Sequence, residues 1–362
     1  MTLKSNSFLF VITCVFCITA AETFFYFFAK WQYSYPAVWY HTDEDNTKLL
    51  CYDKNFLSVA DWDLKSEKPF PNLRYAANTD NDSSLQDLPF ISVPNAIVVT
   101  INEVGFRERP VAQLNSRNKV TLVIGDSFGA GQGVRVQDRF TEVLEAKLLE
   151  DGTNHAVGNF CMMGHNVRAV SKTLSQNIDV FPNLQRVIYM MTLNDPVGDA
   201  KALEMYQVVD DLMHLRTNVL LSRTDLPLVR WSHTVKWVGQ LIVRYQISRQ
   251  TEERYQYLFS ENAGWKQTTE IIDRMKRRCE LRDVEFALVL FPLLHRLKEY
   301  PFVKAHSAVR EYAQRAGIDF YDLLEIFSNK VESRYWVHPR DFHPNYQAHR
   351  EVAEYLHTKI NW

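Results

Sequence analysis

Hydrophobic and polar positions fall into three regimes along the chain. Residues 8–29 are almost wholly apolar. Residues 31 to about 115 are rich in Tyr, Trp, Pro and Asn and hold no sustained helical period, which predicts short strands and loops, such as a strand at Ile97–Ile101. From Lys119 onward, short apolar runs alternate with helix-spaced segments. Residues 120–124 (VTLVI), 186–191 (RVIYMM), 286–291 (FALVLF) and 318–321 (IDFY) read as strands, and 155–160 as a short element between helices. Helices are predicted at about 137–149, 166–177 and 301–316. A mostly helical stretch fills 199–279. A final helix starts at Pro344, with Ala348, Val352, Leu356 and Ile360 on one face.

Strands alternating with helices predict a parallel sheet covered on both faces. The organisation expected is an N-terminal apolar segment (1–30), a strand-rich irregular extension (31–115) and an α/β domain (116–362). That domain carries a helical insertion at about 200–280. Within the insertion, Trp231, Val235, Val238, Leu241, Ile242 and Tyr245 form an apolar face with Arg230, Lys236, Arg244 and Arg249 nearby. Such a face suits a cap helix packed on the domain, a lid, or a helix lying on a membrane.

Two readings fit the N-terminal segment. A signal peptide would use residues 8–20 and be cut near Ala21, after Thr19 and Ala20. An anchor would use the whole stretch, which meets the ~20 residues needed to cross a bilayer. Glu22 counts against the anchor, because a carboxylate at depth is costly. The aromatic run Phe24–Phe28 ending at Lys30-Trp31 favours it, since aromatic residues collect at the membrane interface. Lys4 before the segment and Asp43, Glu44 and Asp45 after it fit an orientation with the body outside. Either reading places the body outside the cytoplasm.

Composition changes this picture little. The chain has 362 residues, 46% of them hydrophobic, enough for one large core or two smaller ones. Basic and acidic residues number 41 and 43, for a net charge of −2, so nothing points to nucleic acid. Five scattered cysteines make no disulfide framework. No metal-ligand spacing, Walker lysine or G-x-G-x-x-G is present, so no metal or cofactor is expected. Asn81-Asp82-Ser83 is a glycosylation sequon, meaningful only in a eukaryotic secretory route.

The candidate chemistry sits at strand ends. Ser127 follows the first strand of the alternation within VIGDSFGAGQGV (123–134). A serine on the turn from a buried strand into a helix lies where open α/β sheets place ligands. Asn194-Asp195 follows the strand at 186–191, and Asp341-Phe-His343-Pro-Asn345 lies near the C-terminus. Acyl transfer needs a hydroxyl, a base, a carboxylate to fix the base's tautomer, and donors for the oxyanion. Ser127, His343 and Asp341 meet the first three needs; the amides of Ser127 and Gly164 and the side chain of Asn194 meet the last. His295 and His338 are alternative bases. Gly125–Gly129 also fits the G-x-S-x-G elbow, but that fold puts several strands before the serine and separates Asp from His. Arg107, in NEVGFR (102–107), is read as a fixed cation turned toward the core.

The blocks VIGDSFGAGQGV, Asn159 through Gly164, LND (193–195) and DFHPN (341–345) resemble those of the SGNH (GDSL-like) hydrolase superfamily, over residues 100–362. NEVGFR resembles a stretch before the GDS block in membrane-anchored or secreted bacterial members. The resemblance implies a flavodoxin-like three-layer α/β/α sandwich with about five parallel strands, and an acyl-ester substrate on a lipid, glycan or small compound. It implies Ser127 as nucleophile, Gly164 and Asn194 in the oxyanion hole, and Asp341 with His343 as the base pair. A polysaccharide O-acyltransferase and a non-catalytic glycan- or lipid-binding protein of the same fold are the alternatives. Thr192 stands where the superfamily has glycine, and Cys161 where a small residue precedes Gly164. The first would bring a side chain toward the acyl pocket.

Overall fold

The structure is a computed structural model, and it describes residues 2–33, 39–42, 48–51, 74–76, 102–132, 134–197, 206–209, 212–215, 231–260, 263–338 and 341–362. The strand expected at 97–101 and the sequon at 81–83 lie outside the described residues.

The elements in chain order are α1 (Thr2–Tyr33), β1 (Trp39–Thr42), β2 (Lys48–Cys51), β3 (Arg74–Ala76), β4 (Lys119–Gly125), α2 (Phe140–Glu150), β5 (His155–Cys161) and α3 (Val167–Asn177). They continue with β6 (Leu184–Met191), β7 (Tyr206–Val209), β8 (Leu212–Leu215), α4 (His233–Leu258), α5 (Ala263–Glu280) and β9 (Glu285–Leu290). The last are α6 (Val303–Ala316), β10 (Asp319–Asp322), β11 (Trp336–His338), β12 (Asp341–Pro344) and α7 (Tyr346–Lys359). The chain divides into two compact units. One holds Met1–Tyr35 and Leu203–Arg254; the other holds Pro36–Ala202 and Tyr255–Trp362.

The larger unit is a three-layer α/β/α sandwich. Its five-stranded sheet runs β10-β9-β6-β4-β5, every pairing parallel. Counted from β4, the strand order is 2-1-3-4-5, the flavodoxin-like order, with its switch point between β4 and β6. Alternation across the sheet sorts side chains into two cores. Leu122 and Ile124 of β4, Phe160 of β5 and Tyr189 of β6 meet α3, α5 and α6 on one face. Val123, Val157, Ile188 and Val289 meet α2 and α7 on the other. Both faces are covered, which is why these strands read as continuous apolar runs.

Three local expectations are corrected. The final helix starts at Tyr346, not Pro344: Pro344 closes β12, and the Asn345 side chain caps the helix by accepting from the Gln347 and Ala348 amides. The helix expected from 137 starts at Phe140, because Val136–Asp138 is a separate 3₁₀ turn. The stretch 199–279, read as mostly helical, contains the antiparallel hairpin β7–β8 in the smaller unit.

The first turn after β4 is set by close packing. A side-chain carbon at Gly129 would stand 2.4 Å from Cys161 Sγ, and one at Gly125 would stand 2.5 Å from the Met190 carbonyl oxygen. Neither position has room for a methyl group. His349, on α7, is wholly buried and stacks on Phe140, and its Nδ1 accepts from the Phe140 amide at 3.2 Å. That bond requires a neutral ring.

Two outcomes are expected. Gly129→Ala destabilises the protein by about 1–3 kcal/mol through overpacking. Adding Cys161→Ala restores part of that loss in a double-mutant cycle. Burial lowers the His349 pKa to about 3. The unfolded chain takes up this proton near pH 6.5, whereas the folded chain does not. Stability is therefore full above pH 6.5 and falls as pH drops, by on the order of 2 kcal/mol at pH 5 from this group. Thermal midpoints of the full chain in detergent at pH 7.5 and pH 5 measure it, and His349→Gln narrows the difference between them.

Candidate active site

The site lies at the carboxyl end of the sheet, over the β4/β6 switch point. After Gly125 the chain enters a one-turn helix, Ser127–Ala130. Its cap is Asp126, whose side chain accepts from the Phe128 amide at 2.9 Å. The capping duty thus falls to Asp126, and the Ser127 hydroxyl is left for another partner. Gly131 ends the turn at φ 69°, its amide returning to the Ser127 carbonyl.

His343 sits on β12, which pairs antiparallel with β11 at Trp336↔Pro344 and His338↔Asp341. Its Nε2 lies 2.8 Å from Ser127 Oγ. The Phe128 ring lies 5.2 Å from the imidazole. Asn345 holds the segment in place: its amide accepts the turn of α7 on one side and donates to the Arg334 and Trp336 carbonyls on the other. Trp336, whose indole donates to the Leu294 carbonyl, packs on the half-exposed Phe342. The backbone of Asp341 pairs with His338 in this hairpin; the side chains of both residues lie outside the described set. His295 lies against Phe302, with ring centroids 6.4 Å apart.

Behind the serine is a buried polar network that sequence reasoning did not find. The Thr192 hydroxyl lies 2.8 Å from Asp126 Oδ2 and 3.3 Å from Asp195 Oδ1, and also meets the Asn194 side chain. Asp195 Oδ2 accepts from the Thr192 amide and from the Tyr189 hydroxyl. Burial pushes the Asp126 carboxyl above its usual range, against the Thr192 hydroxyl, the Phe128 amide, His343 and Asn194. Burial, with Asp126 beside it, pushes Asp195 well above that range. Thr192 is wholly buried, and its side chain is engaged in this network. Burial likewise keeps the Cys161 thiol protonated, which removes it as a nucleophile.

Asn194 is exposed at the end of β6, with its amide against Thr192 and Asp126. Gly164, at φ 74°, lies in the turn after β5, two residues before the α3 cap Asn166. Asn159 ties β5 to the serine turn, donating to the Gly129 carbonyl at 2.8 Å and lying 3.1 Å from Thr141 Oγ1.

Arg107 does face the core. It is buried, and its guanidinium donates to the carbonyls of Gly131 at 2.6 Å, Val134 at 2.5 Å and Ala130 at 3.3 Å. These carbonyls follow the serine turn. Arg139, fully buried and paired with Glu142, donates to the Arg107 carbonyl and lies 3.6 Å from Glu108. Burial and Glu142 raise the Glu108 carboxyl to about 7. No group of three or more His, Cys, Asp or Glu able to hold a metal occurs among the described residues.

No protein-family model matches the chain, and no curated protein sequence matches it. Solved structures are similar to the chain at low identity and low TM-score. The psychrotrophic esterase EstA from Pseudoalteromonas sp. is 11% identical, and the match covers 67% of this chain and 96% of that one, with a TM-score of 0.40. An acetyl xylan esterase, AlAXEase, is 10% identical over 67% of this chain and 100% of that one, also at 0.40. A member of the lipolytic protein G-D-S-L family from Veillonella parvula is 10% identical over 67% and 98%, at 0.38.

Proposed function

We propose that the chain is a serine esterase acting on an O-acyl ester, extracytoplasmic and held at a membrane by α1. The observation that carries this reading is the 2.8 Å approach of His343 Nε2 to Ser127 Oγ at the sheet's switch point. The two residues are 216 positions apart in sequence. A nucleophile within hydrogen-bond reach of a base is the geometric requirement for covalent acyl transfer.

In this reading Ser127 Oγ attacks the ester carbonyl as His343 takes its proton at Nε2. His343 then returns the proton to the leaving alkoxide. Water, with His343 again as base, cleaves the acyl-enzyme and releases the acid. Asp341, two residues before His343, is assigned to hold the imidazole's tautomer. The oxyanion is assigned to the Ser127 and Gly164 amides and the Asn194 side-chain amide, at the point where a helix turn begins. Arg107 is a positioning residue: its fork fixes three carbonyls of the segment that carries the nucleophile's turn.

Ser127→Ala is expected to lower kcat by at least ~10³. Retained p-nitrophenyl acetate turnover in that variant rejects the nucleophile, and absence of fluorophosphonate labelling of the folded wild-type protein favours a binding role instead. Arg107→Lys keeps the charge but loses the fork, and is expected to lower kcat about tenfold with a smaller change in KM. A loss confined to thermal stability would make Arg107 structural only.

A further inference from the structure

The smaller unit pairs two helices in a way that bears on the membrane. Residues Leu9–Phe27 of α1 form a 19-residue apolar stretch, none of it buried in the protein. At 1.5 Å per residue it is about 28 Å long, close to the ~30 Å of a hydrocarbon core. Glu22 is the one carboxylate in it. It is fully engaged: its oxygens accept from the Ser232 hydroxyl at 2.5 Å, the His233 amide at 2.7 Å and the Thr234 amide at 3.3 Å. These amides belong to the first turn of α4, whose donors have no partner within their own helix. A carboxylate on one helix therefore caps another, at the end where the helix dipole favours negative charge.

Ring contacts extend the pairing along both helices. Phe25 stacks on Trp237 with centroids 4.6 Å apart, and Tyr26 meets His233 edge-on at 5.1 Å. Residues 22, 25 and 26 share one face of α1, and 233 and 237 share one face of α4. A different stripe of α4 is left bare. Val238, Leu241, Ile242 and Tyr245 follow helix spacing and are all exposed, and Trp231, just before the helix, is 77% exposed. Glu22 stands five residues from the end of the apolar stretch, about 7.5 Å along the axis, which is the depth of the headgroup boundary.

We propose that α1 is retained uncleaved and that the N-terminal half of α4 lies beside it in the outer membrane–water interface. Glu22 joins the two helices, and the Trp231–Tyr245 stripe faces lipid. The proposal rests on the reading of α1 as a membrane span. The occupant of the stripe is the bilayer because the stripe flanks a helix of membrane length whose own apolar surface is bare. Trp and Tyr at its two ends suit the interface. The cap also offsets the cost of Glu22, since both its oxygens accept from protein donors. Cleavage after Ala21 would set a new ammonium group beside the amino end of α4, against its dipole.

The test uses the full chain reconstituted in phosphatidylethanolamine/phosphatidylglycerol vesicles. Intact mass reports whether residues 1–21 remain. The Trp231 signal is the emission of wild type minus that of Trp231→Phe. It is expected to fall at least about twofold with lipids brominated near the top of the acyl chains and to resist aqueous iodide, as an interfacial indole does. Mature protein lacking residues 1–21 overturns both the anchor and the proposal. Retained protein that resists carbonate extraction but whose Trp231 is quenched by iodide leaves the anchor standing and overturns the proposal. Quenching by neither reagent places the stripe against protein, such as a second copy, and also overturns it.

Discussion

The site depends on a division of labour between two adjacent residues. A helix beginning at a strand end presents unpaired amides, and a serine there ordinarily turns inward to cap them. Here Asp126 takes that role through its bond to the Phe128 amide. The neighbouring hydroxyl is released to meet an imidazole supplied by the C-terminal hairpin. The tightness of the turn enforces the arrangement. Gly125 and Gly129 are squeezed between Met190 on one side and Cys161 on the other, so the serine turn rests directly on the ends of β5 and β6. Chain reversal at this point is thus fixed by backbone contact, and Asp126 is driven into full burial as a consequence.

Full burial of a carboxylate has to be compensated by hydrogen bonds. Thr192, Asp195 and Tyr189 supply the surroundings, and they bring a second buried carboxylate with them. Two carboxylates so close, both raised by desolvation, do not both ionise readily. Burial thereby favours the neutral form of a carboxyl in the floor of the site. On the other flank, Arg107 and Arg139 bring cations among carbonyls and the Glu108 and Glu142 carboxylates. The serine turn is held between an acidic floor and a clamp of guanidinium groups. Each stands in a low-dielectric setting, where a satisfied network is rigid.

Much of this was legible in the sequence because burial on both faces makes the parallel strands nearly pure apolar runs. Residues 120–124, 186–191 and 286–291 stood out for that reason, and the sandwich followed from their alternation with helices. The hairpin β11–β12 was not legible. It is three to four residues long, and its pairing depends on Asn345 bonding back to the Arg334 and Trp336 carbonyls, a tertiary constraint with no periodic signal. The helix start at 344 was misplaced because proline's fixed φ suits both a first helical turn and a strand end. The neighbouring Asn decided between them by capping. Thr192 was legible as a departure but not in direction, since a side chain at a strand end can turn to the pocket or to the core. Glu22 read as a cost only, because its partners lie 210 residues on.

Thr192 links the buried network to the surface chemistry. Its single hydroxyl proton faces acceptor oxygens on Asp126, Asp195 and Asn194. Asn194 Oδ1 accepts from the Thr192 hydroxyl and its side chain also bonds Asp126, so the amide is held at two points. A side-chain amide has two N–H groups. With one turned to Asp126 and the amide oxygen on Thr192, the second is left for another acceptor. In the proposed mechanism that second N–H is the oxyanion donor, and the amide that carries it is held by Thr192 and Asp126. A glycine at position 192 would remove one of the two bonds that hold the amide; the threonine helps to pre-orient it, which lowers the ordering cost that falls on the reaction itself.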